Sequence, residues 1–177
     1  MDRRAGTRAD VIPISDAPSA PAGTATTAPR PAQVPRPSRP AGLGRVGVVL
    51  VSHSQELALA TRALALSLAR SDDPAPVAAT GGSLDDGLGT SAVLIAAAAR
   101  RVDQGHGVAV LSDIGTAVST VLALLAEADE HGLPFPVRFA DAPFVEGAVA
   151  AVGTATAGGD LAAVLDAAEE TYRQHKV

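Results

Sequence analysis

The sequence predicts an α/β fold: an open sheet of about four parallel strands with helices on both faces. Three observations carry that prediction. Short apolar β-branched runs alternate with longer stretches of helical character along residues 46–173. The runs are continuous rather than alternating, as in strands covered on both faces. Each run stops on a polar or glycine-rich cluster that leads into a helix start. Strand, helix and strand in succession imply right-handed crossovers and bring every strand end to one rim.

The elements follow in order. Residues 1–44 hold eight prolines among Ala, Thr, Ser and Arg, with almost no large apolar side chains. Such a segment cannot offset its own ordering entropy, so a disordered arm is expected there, and a folded domain over 45–177. The arm is read as a tether or an over-long predicted start rather than as a basic contact for an acidic partner, because composition alone specifies no partner. Val46 to Val51 reads as a central strand that stops on Ser52-His53-Ser54. Ser54 is placed to cap a helix with Glu56 in its first turn and with Leu57, Thr61, Leu64 and Leu68 at helical spacing.

Ser71-Asp72-Asp73-Pro74 ends that helix, and Val77 to Thr80 reads as the second strand. A glycine-rich loop, Gly81 to Ser91, then leads to a helix over Ala92–Arg101 capped by Thr90 or Ser91. The loop matches neither GxGxxG nor a P-loop, since it lacks Lys-Ser/Thr, and it is a plain connection or a functional lid. Gly107 to Leu111 is the third strand and stops at Ser112-Asp113-Ile114-Gly115-Thr116 before a helix over Ala117–Glu130, closed by His131-Gly132. Leu133 to Pro136 turns the chain into a fourth strand, Val137–Ala140, which ends at Asp141-Ala142-Pro143. Pro143 suits the first turn of the next helix, Gly158-Gly159 stops it, and Asp160 caps the last helix, Leu161 to about Arg173.

Composition narrows the function classes. The formal net charge of −5 divides into six arginines against three aspartates over 1–44 and eight bases against sixteen acids beyond, so the folded part is acidic. Aromatic residues make up 2% and Trp is absent, which leaves little on which single-stranded nucleic acid could stack. Without cysteine there is no disulfide framework, thiolate metal site or cysteine nucleophile. No secretory segment is apparent and Asp, Arg or Gly interrupts every apolar stretch long enough to cross a bilayer, so no membrane insertion is expected and the cytoplasm is the expected compartment.

The predicted rim gathers Ser52, His53, Ser54, the glycine-rich loop, Asp113, Thr116 and Asp141. Of these, His53 is the nucleophile available near neutral pH: an imidazole has a reference pKa of about 6.5, and a carboxylate on its other nitrogen can fix the tautomer. Asp113 is the carboxylate best placed to do so, unless its side chain caps a helix; His53 itself could equally be a structural histidine at a strand end. His106 lies between glycines, His131 near a helix end, and His175 in the tail. No HxxxH or HExxH spacing offers a metal site, and no GxSxG elbow supports a Ser-His-Asp triad.

With those residues in view, the domain resembles the phosphotransferase subunits of phosphoenolpyruvate-dependent dihydroxyacetone kinases, whose core is similar to the mannose-type EIIA domain of the sugar phosphotransferase system (PTS). The resemblance spans most of residues 46–172. It rests on four blocks in order: VGVVLVSHSQELA, AATGGSLDDGLGTSA, VAVLSDIGTAVST and ADAPFVEGAVAAV. It implies a flavodoxin-like sheet, a homodimer, and a histidine that receives phosphate from the carrier protein HPr and hands it to ADP held on a nucleotide-binding kinase subunit. By motif position that histidine is His53, and Asp113 falls where its carboxylate partner lies.

Ser54, Gly115 and Thr116 are the expected phosphate-binding residues. No cofactor is implied on this chain; ADP or ATP with magnesium would sit on the partner kinase subunit. Some relatives carry HPr-like and enzyme-I-like domains after this one, so a separate donor is expected for a chain ending at Val177. Thr116 stands where serine is common, and the proline-rich arm has no counterpart. An exposed apolar surface is expected around Leu133 to Phe144, while the homodimer rests on the resemblance alone.

Three other readings compete. A mannose-type transport EIIA would pass phosphate to an EIIB domain, although the APFVEGAV and GGSLDDGLGTS blocks lean against it. LVSHS also resembles the LVGHGS of small tetrapyrrole chelatases, which need a second rim histidine that His106 and His131 are badly placed to supply. A regulatory module could bind the kinase without carrying phosphate.

Overall fold

The computed structural model describes residues 44–82 and 87–173. The arm expected over 1–44, apart from Gly44, lies outside the described residues, as do Ser83 to Asp86 of the glycine-rich loop and His175. Four parallel strands form one sheet: β1 (Gly47–Ser52), β2 (Val77–Gly81), β3 (Val108–Ser112) and β4 (Val137–Phe139), in the order β2-β1-β3-β4. Five helices follow or join them: α1 (Gln55–Ala69), α2 (Ala92–Val102), α3 (Gly115–Ala126), α4 (Phe144–Thr156) and α5 (Leu161–Glu169), the last continued by a 3-10 turn over Glu170–Arg173. This is a flavodoxin-like arrangement, and its topological switch point lies between β1 and β3.

All six residues of β1 are buried, as its unbroken apolar run requires. Val48 and Leu50 pack with Ala109 and Leu111 against α1, α4 and α5, whereas Val49 and Val51 pack with Val108 and Val110 against α2 and α3. Helices therefore cover both faces, and each buried Val or Leu contributes about 1.5–3 kcal/mol. Three of the expected caps form. The Ser54, Ser91 and Asp160 side chains accept hydrogen bonds from the N–H groups of Leu57, Leu94 and Ala163 at 3.2, 3.5 and 2.9 Å.

The structure departs from the sequence reading in four places. In α1 the buried face is Ala58, Thr61 and Ala65, while Leu57, Leu64 and Leu68 are exposed; small side chains let α1 lie close to the sheet and to α4. Helix α3 starts at Gly115 rather than Ala117 and ends at Ala126 rather than Glu130. Pro143 is the N-cap of α4 and precedes its first turn. Around Leu133 to Phe144 only Phe135 stands fully out, because Leu133, Phe139 and Phe144 pack against the core.

Candidate active site

Sheet order puts the carboxyl ends of β1 and β3 side by side, and with them His53 and Asp113, sixty residues apart in sequence. The Asp113 carboxylate is the centre of the turn. Its Oδ2 accepts the Ser52 hydroxyl at 2.8 Å and the His53 N–H at 2.9 Å; its Oδ1 accepts the Ile114 N–H at 2.7 Å and His53 Nδ1–H at 3.0 Å. Burial pushes the Asp113 carboxyl up, but these four bonds together outweigh it and hold it below the usual aspartate value. An ionised carboxylate only accepts, so Nδ1 carries the proton and Nε2 is left with the lone pair.

The Thr116 hydroxyl lies 2.6 Å from Nε2. With Nε2 as acceptor, that hydroxyl is the donor. Thr116 belongs to the first turn of α3, whose N-cap Ile114 supplies no side-chain bond. The N–H groups of Gly115 and Thr116 carry no hydrogen bond among the described residues. Gly115 has φ +42°, a left-handed conformation that favours glycine, and it opens the helix where an L side chain would be strained. Two free N–H groups and a hydroxyl at a helix start, beside a nitrogen lone pair, form a set of donors suited to phosphoryl oxygens.

The backbone of His53 is held from the other side. Its carbonyl accepts the Gly82 N–H at 3.2 Å and the Gly89 N–H at 3.0 Å, so both described ends of the glycine-rich loop are tied to the histidine. The Thr90 hydroxyl then donates to that of Thr120 at 3.1 Å, and Thr120 donates to the Thr116 carbonyl at 2.9 Å, which links the same loop to the first turn of α3. Beside His53 a cleft of about 840 Å³ runs along the outer turns of α2 as far as Arg101. Gly81 is required by close approach: a Cβ there would stand 2.7 Å from the Ser52 carbonyl oxygen and 2.8 Å from the Ser54 carbonyl. Gly81→Ala is therefore expected to lower stability by about 1–3 kcal/mol, read as a fall in Tm; an unchanged melting curve would show that the turn has slack.

The expected site residues divide. His53, Asp113, Gly115 and Thr116 converge. Ser54 is adjacent, but its hydroxyl accepts from Leu57 and donates to Glu56 at 2.8 Å, and its N–H donates to Ser52 Oγ at 3.1 Å, so it serves the cap and the turn. Asp141 stands apart at the end of β4, where it accepts the Tyr172 hydroxyl at 3.0 Å. His131 lies beside Glu127 at 3.3 Å, and His106 packs near Gly44. The tie of Gly82 and Gly89 to His53 escaped sequence reasoning, as did the bridging role of Ser52. The Thr116/Thr120 pair had a signal in its i, i+4 spacing on a helix. Among the described residues no group of three or more His, Asp or Glu side chains is arranged to hold a metal ion, and no helix is long and apolar enough to cross a membrane.

By fold and site this is a doubly wound α/β domain with a carboxylate-held histidine at its switch point. The model of the EIIA-man family, described as PTS system fructose IIA component, matches residues 47–165, and the chain belongs to that family. It is 35% identical over 126 residues to the phosphoryl donor subunit DhaM of the PEP-dependent dihydroxyacetone kinase of Escherichia coli (strain K12), a match covering 68% of this chain and 25% of that protein. It is 29% identical over 131 residues to the subunit of the same name in Providencia stuartii (strain MRSN 2154), covering 72% and 27%. The chain thus spans about a quarter of the length of these relatives.

Two crystal structures share the fold. EF1359, a protein of unknown function, superposes with a TM-score of 0.58 at 25% identity over 71% of this chain and 94% of that one. A sigma-54 interaction domain protein from Enterococcus faecalis superposes with a TM-score of 0.51 at 15% identity over 73% and 92%.

Proposed function

We propose that this domain is a phosphohistidine relay that accepts phosphate from phospho-HPr on Nε2 of His53 and passes it to ADP bound on the nucleotide-binding subunit of a PEP-dependent dihydroxyacetone kinase. The observation that carries the reading is the pairing of a fixed tautomer with a donor: Asp113 holds Nδ1–H, and the Thr116 hydroxyl, in the first turn of a helix whose Gly115 and Thr116 N–H groups are free, stands 2.6 Å from Nε2. Similarity to the two DhaM subunits supports the choice of partners. In the first step the Nε2 lone pair forms the bond to phosphorus as the bond to the donor's histidine breaks. The ring then carries positive charge, which the Asp113 carboxylate stabilises through Nδ1–H. In the second step a β-phosphate oxygen of ADP attacks, the N–P bond breaks, and Nε2 recovers its lone pair.

Nucleotide and magnesium belong to the partner kinase subunit in this scheme, and the chain acts in the cytoplasm as a homodimer. The test is a chase. The chain is labelled from phosphoenolpyruvate with enzyme I and HPr, then mixed with the ADP-loaded kinase subunit or with a mannose-type EIIB domain. Loss of label to ADP supports the kinase relay. Transfer to EIIB alone supports the second reading, a sugar-transport EIIA, which the description of the family favours. No label at all would leave a regulatory module.

Thr116 separates phosphate acceptance on nitrogen from acceptance on a hydroxyl. Thr116→Val removes the donor 2.6 Å from Nε2 and leaves the imidazole and Asp113 in place. Labelling is expected to slow by about 10²-fold, the cost of one preorganised donor, while the label stays acid-labile. An acid-stable label that vanishes in this variant would make Thr116 the acceptor.

A further inference from the structure

The sheet has an open edge beside the site. β2 is its outermost strand, and parallel pairing turns alternate residues of that strand toward β1. The Val48 N–H donates to the Pro76 carbonyl at 2.9 Å and the Gly82 N–H to the His53 carbonyl at 3.2 Å, so the even-numbered residues of this stretch face β1. Val77, Ala79 and Gly81 therefore direct their N–H and C=O groups out of the sheet. The Val77 carbonyl is met by Arg62 Nε of α1 at 2.8 Å. The outward groups of Ala79 and Gly81 make no hydrogen bond among the described residues. No proline or charged side chain lies between Val77 and Gly81, although open edges ordinarily carry such a guard.

The cleft of about 840 Å³ beside His53 lies along this edge, with Ala79, Thr80 and Gly81 among its lining residues and Leu94 and Arg101 of α2 on one wall. A trough with unpaired main-chain donors and acceptors along one strand fits an extended peptide, which can pair its own main chain with them. The charges at its two ends say what kind of peptide. Among the described lining residues Glu56 is the one carboxylate and Arg101 the one guanidinium. Glu56 stands at the rim in the first turn of α1, and Arg101 in the last turn of α2, away from the rim. Arg100 beside it donates to the His131 carbonyl at 2.8 Å, whereas Arg101 is exposed and makes no hydrogen bond or ion pair among the described residues. An acidic side chain complements the Arg101 end and is repelled at the Glu56 end.

We propose that the open edge of β2 is a docking strand for an extended, β-branched segment of another protein, added antiparallel as a fifth strand, with an acidic side chain at the segment's C-terminal end paired to Arg101. The antiparallel direction follows from its slightly more stable ladder. Nε2 of His53 faces Thr116, on the β3 side of β1. A segment on the β2 side therefore leaves that nitrogen accessible.

Fluorescence anisotropy of the full chain with the dye-labelled probe peptide Thr-Val-Thr-Val-Asp, amidated at its C-terminus, tests the proposal. Saturable binding is expected, and Arg101→Glu should weaken it by about 3- to 10-fold. A second probe with Lys in place of Asp should bind the Arg101→Glu chain more tightly than the wild type. Ala79→Pro removes an outward N–H and no bond to β1, and should weaken binding at least about tenfold at an unchanged Tm. Because a proline ring can also disturb the strand, the probe itself is N-methylated at alternate amides. Methylation in one register should abolish binding, and in the other, whose amides face solvent, should leave it within about twofold. Equal loss in both registers would overturn strand addition. No saturable binding of the unmethylated probe up to about 1 mM would overturn the docking strand itself. Affinity indifferent to Arg101→Glu would overturn the acidic end, and tighter binding of a probe with Asp moved to its N-terminus would overturn the antiparallel direction.

Discussion

His53→Ala is expected to abolish phosphoryl acceptance, with no acid-labile, base-stable label above background when phosphoenolpyruvate, enzyme I and HPr are supplied. The variant is informative because the histidine's backbone is held independently of its ring. Its N–H donates to Asp113 at 2.9 Å, and its carbonyl accepts from Gly82 and Gly89 at 3.2 and 3.0 Å. All three bonds survive the substitution. What is lost is the ring, with its bonds to Asp113 Oδ1 and Thr116 Oγ1, so the turn and the free N–H groups of α3 remain as they were. A wild-type Tm together with absent label would assign the loss to chemistry rather than folding. Label that persists would place the acceptor elsewhere, and Thr116 is the first residue to examine.

Asp113→Asn is expected to reduce the labelling rate by up to about 10⁴-fold, the loss seen when a catalytic histidine loses the carboxylate that sets its tautomer. The amide cannot accept all four bonds. Its NH₂ group must face either the His53 N–H and the Ser52 hydroxyl, or the Ile114 N–H and the ring. A buried N–H left without its acceptor costs about 1–3 kcal/mol, so a lower Tm should accompany the slower rate.

The pH dependence distinguishes the charge from the shape. Because the folded value of Asp113 lies below its ordinary one, its ionised form contributes stability that is present in full above about pH 4, the unfolded aspartate value. That contribution is lost as the pH falls through the lower folded value. The stability gap between wild type and Asp113→Asn should therefore be widest at neutral pH and should narrow in acid. A gap that stays constant from pH 7 to about pH 3 would mean that hydrogen-bond geometry, and not charge, is what Asp113 supplies.

The sequence by itself determined most of the local structure. The unbroken run from Val46 to Val51 fitted a strand covered on both sides, Ser54 and Asp160 stood where caps form, and four strand-helix units in series implied a parallel sheet with one functional rim. His53 was legible as the residue with a usable lone pair at that rim. These features are local: a cap spans three residues, and a strand is defined by its own run of side chains. Even locally the reading slipped where a glycine changed the rules, since Gly115 adopts φ +42° and starts α3 two residues before the first alanine.

Only the tertiary structure decided which local features meet. Ser52, His53 and Asp113 converge because β1 lies beside β3 in the sheet order, and nothing within a few residues of His53 encodes that adjacency. Asp141 ends a strand in the same way as Asp113, but it is one strand farther out and bonds to Tyr172 instead. The face of α1 was decided at the same level. Its leucines have the spacing of a core stripe, but α1 packs closely against the sheet and α4 through Ala58, Thr61 and Ala65, which turns the leucines outward. Periodicity shows that a helix has an apolar face; how near its neighbours come determines which of two apolar faces is buried, and that distance is a property of the packed molecule.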